Sequence, residues 1–235
     1  NKNNENSTVE IYAQDIIDFS KAMKAVDPSI LVIPNGDSDE FFKTVINKAG
    51  NYIDRLCVSN YGVFDFNAGY ESYRDTTRCL IWPAQTALNA MNKYATQEQL
   101  DKWKLIVAEY GTIDWAGLWH GTNDMGHAIV NFDMTGQLLL EPQIEFSCFW
   151  NTRWLNNEEY PQTDHDAVDS NGNINPTGYS LLIWNKFMGD KMIKSESMGA
   201  IISYASYSPH ENRLFVYFIN KGEREENVNL IIPNK

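Results

Sequence analysis

Glu109 is the position in this sequence best placed to do chemistry. In Lys104-Leu105-Ile106-Val107-Ala108-Glu109-Tyr110-Gly111-Thr112, four apolar residues lead directly into a lone carboxylate, an aromatic and a glycine. A continuous apolar run with a polar helix before it and glycine after it predicts a strand buried on both faces. Glu109 then falls where the strand gives way to a loop. In α/β barrels the catalytic residues sit at the carboxyl ends of the parallel strands. Glu109 therefore reads either as a catalytic carboxylate or as a helix cap or loop acid.

The elements that must position Glu109 follow from hydrophobic period. Ser7-Thr8-Val9-Glu10 has the pattern of a capping box, and a helix is predicted from about residue 8 until Asp27-Pro28 stops it. Ile30-Leu31-Val32-Ile33 reads as a buried strand ending at Pro34-Asn35-Gly36-Asp37, followed by a helix over about 39–49. Ile53–Ser59 is the next predicted strand, ending at Asn60-Tyr61-Gly62. A connection over 62–80 carries Phe64, Phe66, Tyr70 and Tyr73, and connections this long inside a domain tend to be functional. Pro83 starts a helix to about Tyr94, and Thr96-Gln97-Glu98-Gln99 caps a short helix before the Glu109 strand.

A second long loop, Thr112 to about Asn123, holds Asp114, Trp115, Trp119 and His120. A helix to about Leu140, a strand over Ile144–Trp150, a polar loop over 156–175 and a helix from Pro176 to Gly189 complete the alternation. After Gly189 the period becomes 2. Ile201–Tyr207, Arg213–Ile219 and Val228–Ile232 read as antiparallel strands.

Strands alternating with helices imply a parallel sheet with crossover connections. Four such strands are half of an eightfold barrel, which takes about 250 residues in full. The expectation is an α/β chain: the C-terminal half of a (β/α)8 TIM barrel over 1–190 (strands 5–8), then the start of an antiparallel β-sandwich over 191–235. The alternative is a complete four-stranded open α/β domain.

At 235 residues, with 43% of them hydrophobic, the chain can bury a large core. A formal charge of −12 repels nucleic acid and anionic membranes, so neither is expected as a partner. Cys57, Cys79 and Cys148 are odd in number and widely spaced. Cys57 and Cys148 lie in apolar runs and are expected to be buried thiols.

The strand ends present Asn35 and Asp37; then Ser59, Asn60 and Tyr61; then Glu109 and Tyr110; then Trp150, Asn151 and Trp154. Aromatic faces pack on the C–H faces of sugars, amides and phenols bond their hydroxyls, and a carboxylate can attack an oxocarbenium-like centre. This set suggests a carbohydrate site with Glu109 catalytic. Asn35, Asn60, Tyr61, Tyr110, Trp115, Trp150, Asn151 and Trp154 are its candidate substrate-binding residues.

Three runs carry a family resemblance. Tyr12-Ala13-Gln14-Asp15 with Phe19–Ile30, then Ser59-Asn60-Tyr61, then Val107-Ala108-Glu109-Tyr110-Gly111, resemble the second half of clan A retaining glycoside hydrolases. Lys24-Ala25-Val26-Asp27-Pro28-Ser29-Ile30 is similar to the joint between helix and fifth strand in the arabinofuranosidase, xylosidase and agarase branches. The nearest overall resemblance is to glycoside hydrolase family 86, the β-agarases and β-porphyranases.

The resemblance implies two glutamates, one ending the fourth strand and one ending the seventh. Glu109 matches the seventh-strand nucleophile. The acid/base, usually in an Asn-Glu pair, would precede Asn1, in a missing N-terminal half of the same protein. It further implies a double-displacement mechanism, a polysaccharide or oligosaccharide substrate, no cofactor, and a secreted, periplasmic or cell-surface location. Tyr61 or Tyr110 is expected to orient Glu109. For a sulfated galactan, Arg74 and Arg153 would offset the acidic surface. The alternatives are an exo-acting arabinofuranosidase or xylosidase of the clan and a non-catalytic carbohydrate-binding barrel.

No metal site is read from the sequence. Asp164-His165-Asp166 and Asp169-Ser170-Asn171-Gly172-Asn173 have some likeness to calcium ligands but read as surface loop, and His120 and His127 share no metal-ligand spacing.

Overall fold

The computed structural model describes residues 8–62, 70–74, 79–111, 123–153 and 166–232. Their elements in chain order are α1 (Val9–Val26), α2 (Asp39–Ala49), a 3-10 turn (Gly50–Tyr52), β1 (Leu56–Asn60), α3 (Glu71–Arg74), α4 (Trp82–Tyr94) and α5 (Gln97–Lys102). There follow β2 (Leu105–Tyr110), α6 (Met125–Leu139), β3 (Ile144–Phe149), α7 (Pro176–Phe187), β4 (Lys191–Ile193), β5 (Ile201–Ser208) and β6 (Arg213–Asn220). By contacts the chain forms two compact units: residues 1–64, 79–113 and 137–152, and residues 65–78, 114–136 and 153–235.

The first unit is built on a parallel sheet of order β1-β2-β3. Leu56 and Val58 of β1 pair with Leu105 and Val107 of β2, and all four are fully buried. α4 packs on β1 and β2, and α2 packs on α4 and α1. α2 supplies Phe42, Val45, Ile46 and Ala49 to this core, and α4 supplies Ala84, Ala87, Leu88 and Met91. Local chemistry sets the helix starts. Thr8 and Ser38 accept from the N–H of Ile11 and Phe41, and Thr96 with Gln99 forms a complete capping box.

Side chains alternate across a strand, so the partners Cys57 and Ile106 face the opposite way, as does Phe146, which pairs with Ile106. This inner face is less well covered. Phe146 is 50% exposed and Cys148 is exposed too, which corrects the expectation of a buried thiol there; Cys57 is buried as expected. Among the described residues β3 lies at the sheet's edge, where the apolar run around Cys148 has a neighbouring strand on one side.

The run Ile30–Ile33 forms no regular strand. It runs beside β1 with bonds from Asp54 N to Val32 O and from Cys57 N to Pro34 O, and one parallel bridge joins Asn35 to Cys57. Pro34 has no N–H to give, and Leu31 is exposed on the outer side. Asp54 fixes this edge: its carboxylate accepts from Val32 N at 2.8 Å and from Lys24 Nζ at 2.7 Å. β1 starts at Leu56, three residues later than predicted.

The second unit holds the antiparallel sheet β4-β5-β6 against α7 and the first turns of α6. Trp184 is its hub. Its ring lies 4.5 Å from Phe132, 4.6 Å from Tyr217 and 5.6 Å from Tyr204, and its Nε1 donates to Phe132 O. Asp133 accepts from the buried phenols of Tyr73, at 2.7 Å, and Tyr204. Burial first, and then the charge of Asp133, raises the Tyr73 phenol far above its usual value.

Two expectations need correction here. α7 ends at Phe187, and Gly189 serves a close approach: a Cβ there would lie 2.5 Å from the Tyr207 backbone carbon. Val228–Ile232 is not a strand. Val228, Leu230, Ile231 and Ile232 are exposed, because alternation makes a strand only where a neighbour supplies the ladder.

Residues 1–235 expressed alone are expected to self-associate and bind the dye ANS, because apolar inner-face and edge residues are open to solvent. A monodisperse product that melts cooperatively in calorimetry would contradict this.

Candidate active site

The carboxyl ends of β1, β2 and β3 bring the candidate residues of the first unit together, and one irregularity decides which of them share a face. Val107 pairs with Val58, but Glu109, not Ala108, pairs with Ser59. The same extra residue appears against β3, where Val107 pairs with Ser147 and Tyr110 with Phe149. β2 therefore bulges at Ala108–Glu109. Bulges re-aim side chains and terminate pairing. Without the bulge Glu109 would lie opposite Asn60, on the helix-covered side. With it, Glu109 joins Cys57, Ser59 and Tyr61 on the inner face.

The Tyr61 phenol donates to Glu109 Oε2 at 2.7 Å. Burial is the largest cause that pushes this phenol well above its ordinary value, followed by its hydrogen bond to Glu109 and the charge of that carboxylate. Of the two tyrosines expected to orient Glu109, the structure selects Tyr61. Tyr110 is buried on the opposite side, its ring edge-on to Phe149 at 5.7 Å.

Asn60 also differs from expectation. It is fully buried, and its amide Nδ2 donates to Leu80 O at 3.2 Å while its Oδ1 accepts from Ala84 N at 3.3 Å. Its polar groups tie the end of β1 to the start of α4, so neither Asn60 nor Tyr110 is presented at the inner face.

Asn35 bridges Cys57 in parallel register and so shares the inner face, where it is exposed. Trp150 continues the inner parity of Phe146 and Cys148, is partly buried, and donates its backbone N–H to Tyr110 O at 2.8 Å. A cis peptide bond joins it to Asn151, whose Oδ1 is buried. Trp115 and Trp154 lie outside the described residues.

Two glycines hold the strand ends close. A Cβ on Gly111 would stand 2.7 Å from Trp150 O, and one on Gly62 would stand 1.8 Å from Leu80 O. Trp82 lies outside the sequence-based set; its one sequence signal is an aromatic directly before Pro83 at a helix start. Its indole Nε1 donates to Gly62 O at 3.2 Å.

Glu145 lies at the other end of the sheet. Glu145 pairs with Arg55 at the amino ends of the strands, and that hydrogen bond lowers its pKa. In the second unit Asp169 accepts from the N–H groups of Asn171 and Asn173 and from the Asn173 amide, which holds its carboxyl below the usual range. Among the described residues no group of three His, Cys, Asp or Glu side chains could hold a metal ion. Arg74 pairs with Glu223 at 2.8 Å, and Arg153 is exposed.

No family model matches this chain, and no curated protein matches it by sequence. Solved structures do match. An α-L-arabinofuranosidase from Thermotoga maritima superposes with a TM-score of 0.69 at 18% identity, covering 91% of this chain and 48% of that one. A family 51 α-L-arabinofuranosidase from Bifidobacterium longum gives 0.68 at 13% identity, over 93% and 51%. A family 44 endoglucanase from a Clostridium gives 0.60 at 13% identity, over 92% and 50%.

The chain spans about half the length of the solved structures it matches. At these identities the likeness is one of fold. It supports a partial α/β barrel and gives the family 86 agarase type no support.

A phenol whose folded pKa exceeds its unfolded value stabilises the fold while protonated. That contribution is complete below the unfolded value of about 10 and is lost as pH rises from there toward the folded value. Urea midpoints should therefore fall above about pH 10, and less steeply in Tyr61→Phe; equal slopes would remove Tyr61 from the effect. Gly62→Ala should cost about 3 kcal/mol in the same titration, because its Cβ meets backbone that cannot turn aside.

Proposed function

We propose that this chain is the nucleophile-bearing part of a retaining glycoside hydrolase. The observation that carries the reading is the Tyr61–Glu109 hydrogen bond on the inner face of the parallel sheet, at the ends of its strands. Glu109 attacks the anomeric carbon while an acid on a preceding segment protonates the leaving oxygen. The resulting glycosyl ester is then opened by water, which gives up its proton to the same acid/base. The two carboxyl groups must stand about 5–5.5 Å apart. Tyr61 fixes the carboxylate for attack. Asn35, Trp150 and Asn151 contact the sugar.

Four preceding strand–helix units would cover the open inner face and supply the acid. Residues 1–190 then form the second half of the barrel, and 191–235 begin the β-sandwich. The substrate is a polysaccharide or oligosaccharide. An arabinofuranoside is favoured by the activity of the fold neighbours, and an agar- or porphyran-like galactan by the sequence resemblance. A polymer substrate sets the enzyme outside the cytoplasm, secreted, periplasmic or at the cell surface. Among the described residues no helix is long and apolar enough to cross a membrane.

In the full-length protein, Glu109→Gln should lower kcat on arabinan or agarose oligosaccharides by on the order of 10⁴-fold. Glu109→Ala should be rescued by azide, giving a glycosyl azide of inverted configuration. Full activity in Glu109→Gln would remove the nucleophile. Glycan binding with no turnover in the wild type would favour a non-catalytic barrel.

A further inference from the structure

We infer that the Ser59 hydroxyl binds the sugar hydroxyl on the ring carbon next to the anomeric carbon, an inference that rests on the glycoside hydrolase reading of the Glu109 site. The pairing of β1 with β2 sets Ser59 directly opposite Glu109. Residues opposite each other in neighbouring strands share a face, and the strands lie about 4.8 Å apart. The Tyr61–Glu109 hydrogen bond fixes which face this is, because Ser59 and Tyr61 are two residues apart in the chain. Asn60, between them, turns the other way, to Leu80 O and Ala84 N. Ser59 therefore flanks the carboxylate from the β1 side.

Ser59 is partly exposed, and its hydroxyl makes no hydrogen bond among the described residues. Glu109 Oε2 accepts from Tyr61 at 2.7 Å, while Oε1 has no donor among them. A hydroxyl beside a carboxylate oxygen suits a ligand hydroxyl, which can accept from the first and donate to the second. The rest of the face sets the direction of the sugar. Toward β1 it gathers hydrogen-bonding groups, since Asn35 lies on the same face as Ser59 and Tyr61. Toward β3 it presents the aromatics Phe146 and Trp150 with the thiol of Cys148. A ring over Glu109 accordingly turns its hydroxyl-bearing edge to β1 and its C–H surface to β3. In attack the carboxylate oxygen stands about 3–3.5 Å from the anomeric carbon. The hydroxyl one carbon further on then falls over the neighbouring strand at the level of Glu109, which is the level of Ser59. Hydrogen bonds to that hydroxyl tighten as the oxocarbenium-like transition state forms.

The test uses the full-length protein carrying Glu109→Gln, so that bound glycan is not turned over. Arabinan, agarose and cellulose oligosaccharides are screened on an array. Kd is then measured by calorimetry for each captured oligosaccharide and for a synthetic counterpart lacking the hydroxyl beside the scissile anomeric carbon. Adding Ser59→Ala should raise Kd for the parent on the order of tenfold and leave Kd for the deoxy counterpart unchanged. Ser59→Thr, which keeps the hydroxyl, should return the parent Kd to within about twofold. A residue that only supports the strand would move both ligands alike.

An unchanged parent Kd in folded Ser59→Ala, or an equal rise for parent and deoxy ligand, overturns the contact. Hydrolysis by the wild type with either result sinks the contact and leaves the glycosidase. Capture with the expected Ser59 selectivity but no wild-type hydrolysis sinks the glycosidase and leaves the contact. Capture of no glycan overturns both.

Discussion

A side chain at a strand end points wherever the count of residues along that strand sends it. One extra residue in β2, set against both β1 and β3, turns Glu109 from the helix-packed side to the inner face. Everything chemical in the first unit depends on that turn. It brings the carboxylate to the Tyr61 phenol, and it leaves Tyr110, one residue later, to fill the space beneath the helices. Without the bulge a carboxylate would sit among Leu80, Ala84 and the buried apolar side chains of α4, where its desolvation would be costly.

The first unit is asymmetric for a related reason. Its outer face is finished: Leu56, Val58, Leu105 and Val107 are fully buried, with α4 packed over β1 and β2 and α2 behind α4. At roughly 25 cal/mol per Å² of apolar surface removed from water, that seam is the main source of its stability. The inner face keeps Phe146 and Cys148 in contact with solvent. Polar groups there are free to be used in chemistry, while those on the outer face, such as the Asn60 amide, are consumed in holding α4 to the sheet.

The second unit solves a different problem. It holds the short segment Tyr70–Arg74 of a long connection against an antiparallel sheet. The means are mostly aromatic and phenolic: Trp184 stacks on Phe132 and meets Tyr217 at a tilt, and Asp133 receives the Tyr73 and Tyr204 hydroxyls. Lys221 is buried beside Tyr73, with Nζ 3.3 Å from its carbonyl and 4.9 Å from its ring centre. Buried groups of this kind are held by their hydrogen bonds, since a polar group taken out of water needs a partner.

The sequence by itself determined the local and the periodic. Thr96 and Gln99 announced a helix start, the apolar run before Glu109 announced a buried strand, and the change to period 2 announced β5 and β6. The strand-end positions of Tyr61 and Glu109 were legible for the same reason, since a turn signal after an apolar run is local. Only the tertiary structure decided which strand-end residues meet. Ala108 looks like any other residue of its run, and its bulge exists only in the pairing with β1 and β3. Asn60 was open to a ligand role until Leu80 and Ala84 came to it from twenty and more residues away. The runs at Ile30–Ile33 and Val228–Ile232 have the composition of strands without becoming regular ones. A strand is completed by its neighbour, and no residue carries its neighbour's position in its own side chain.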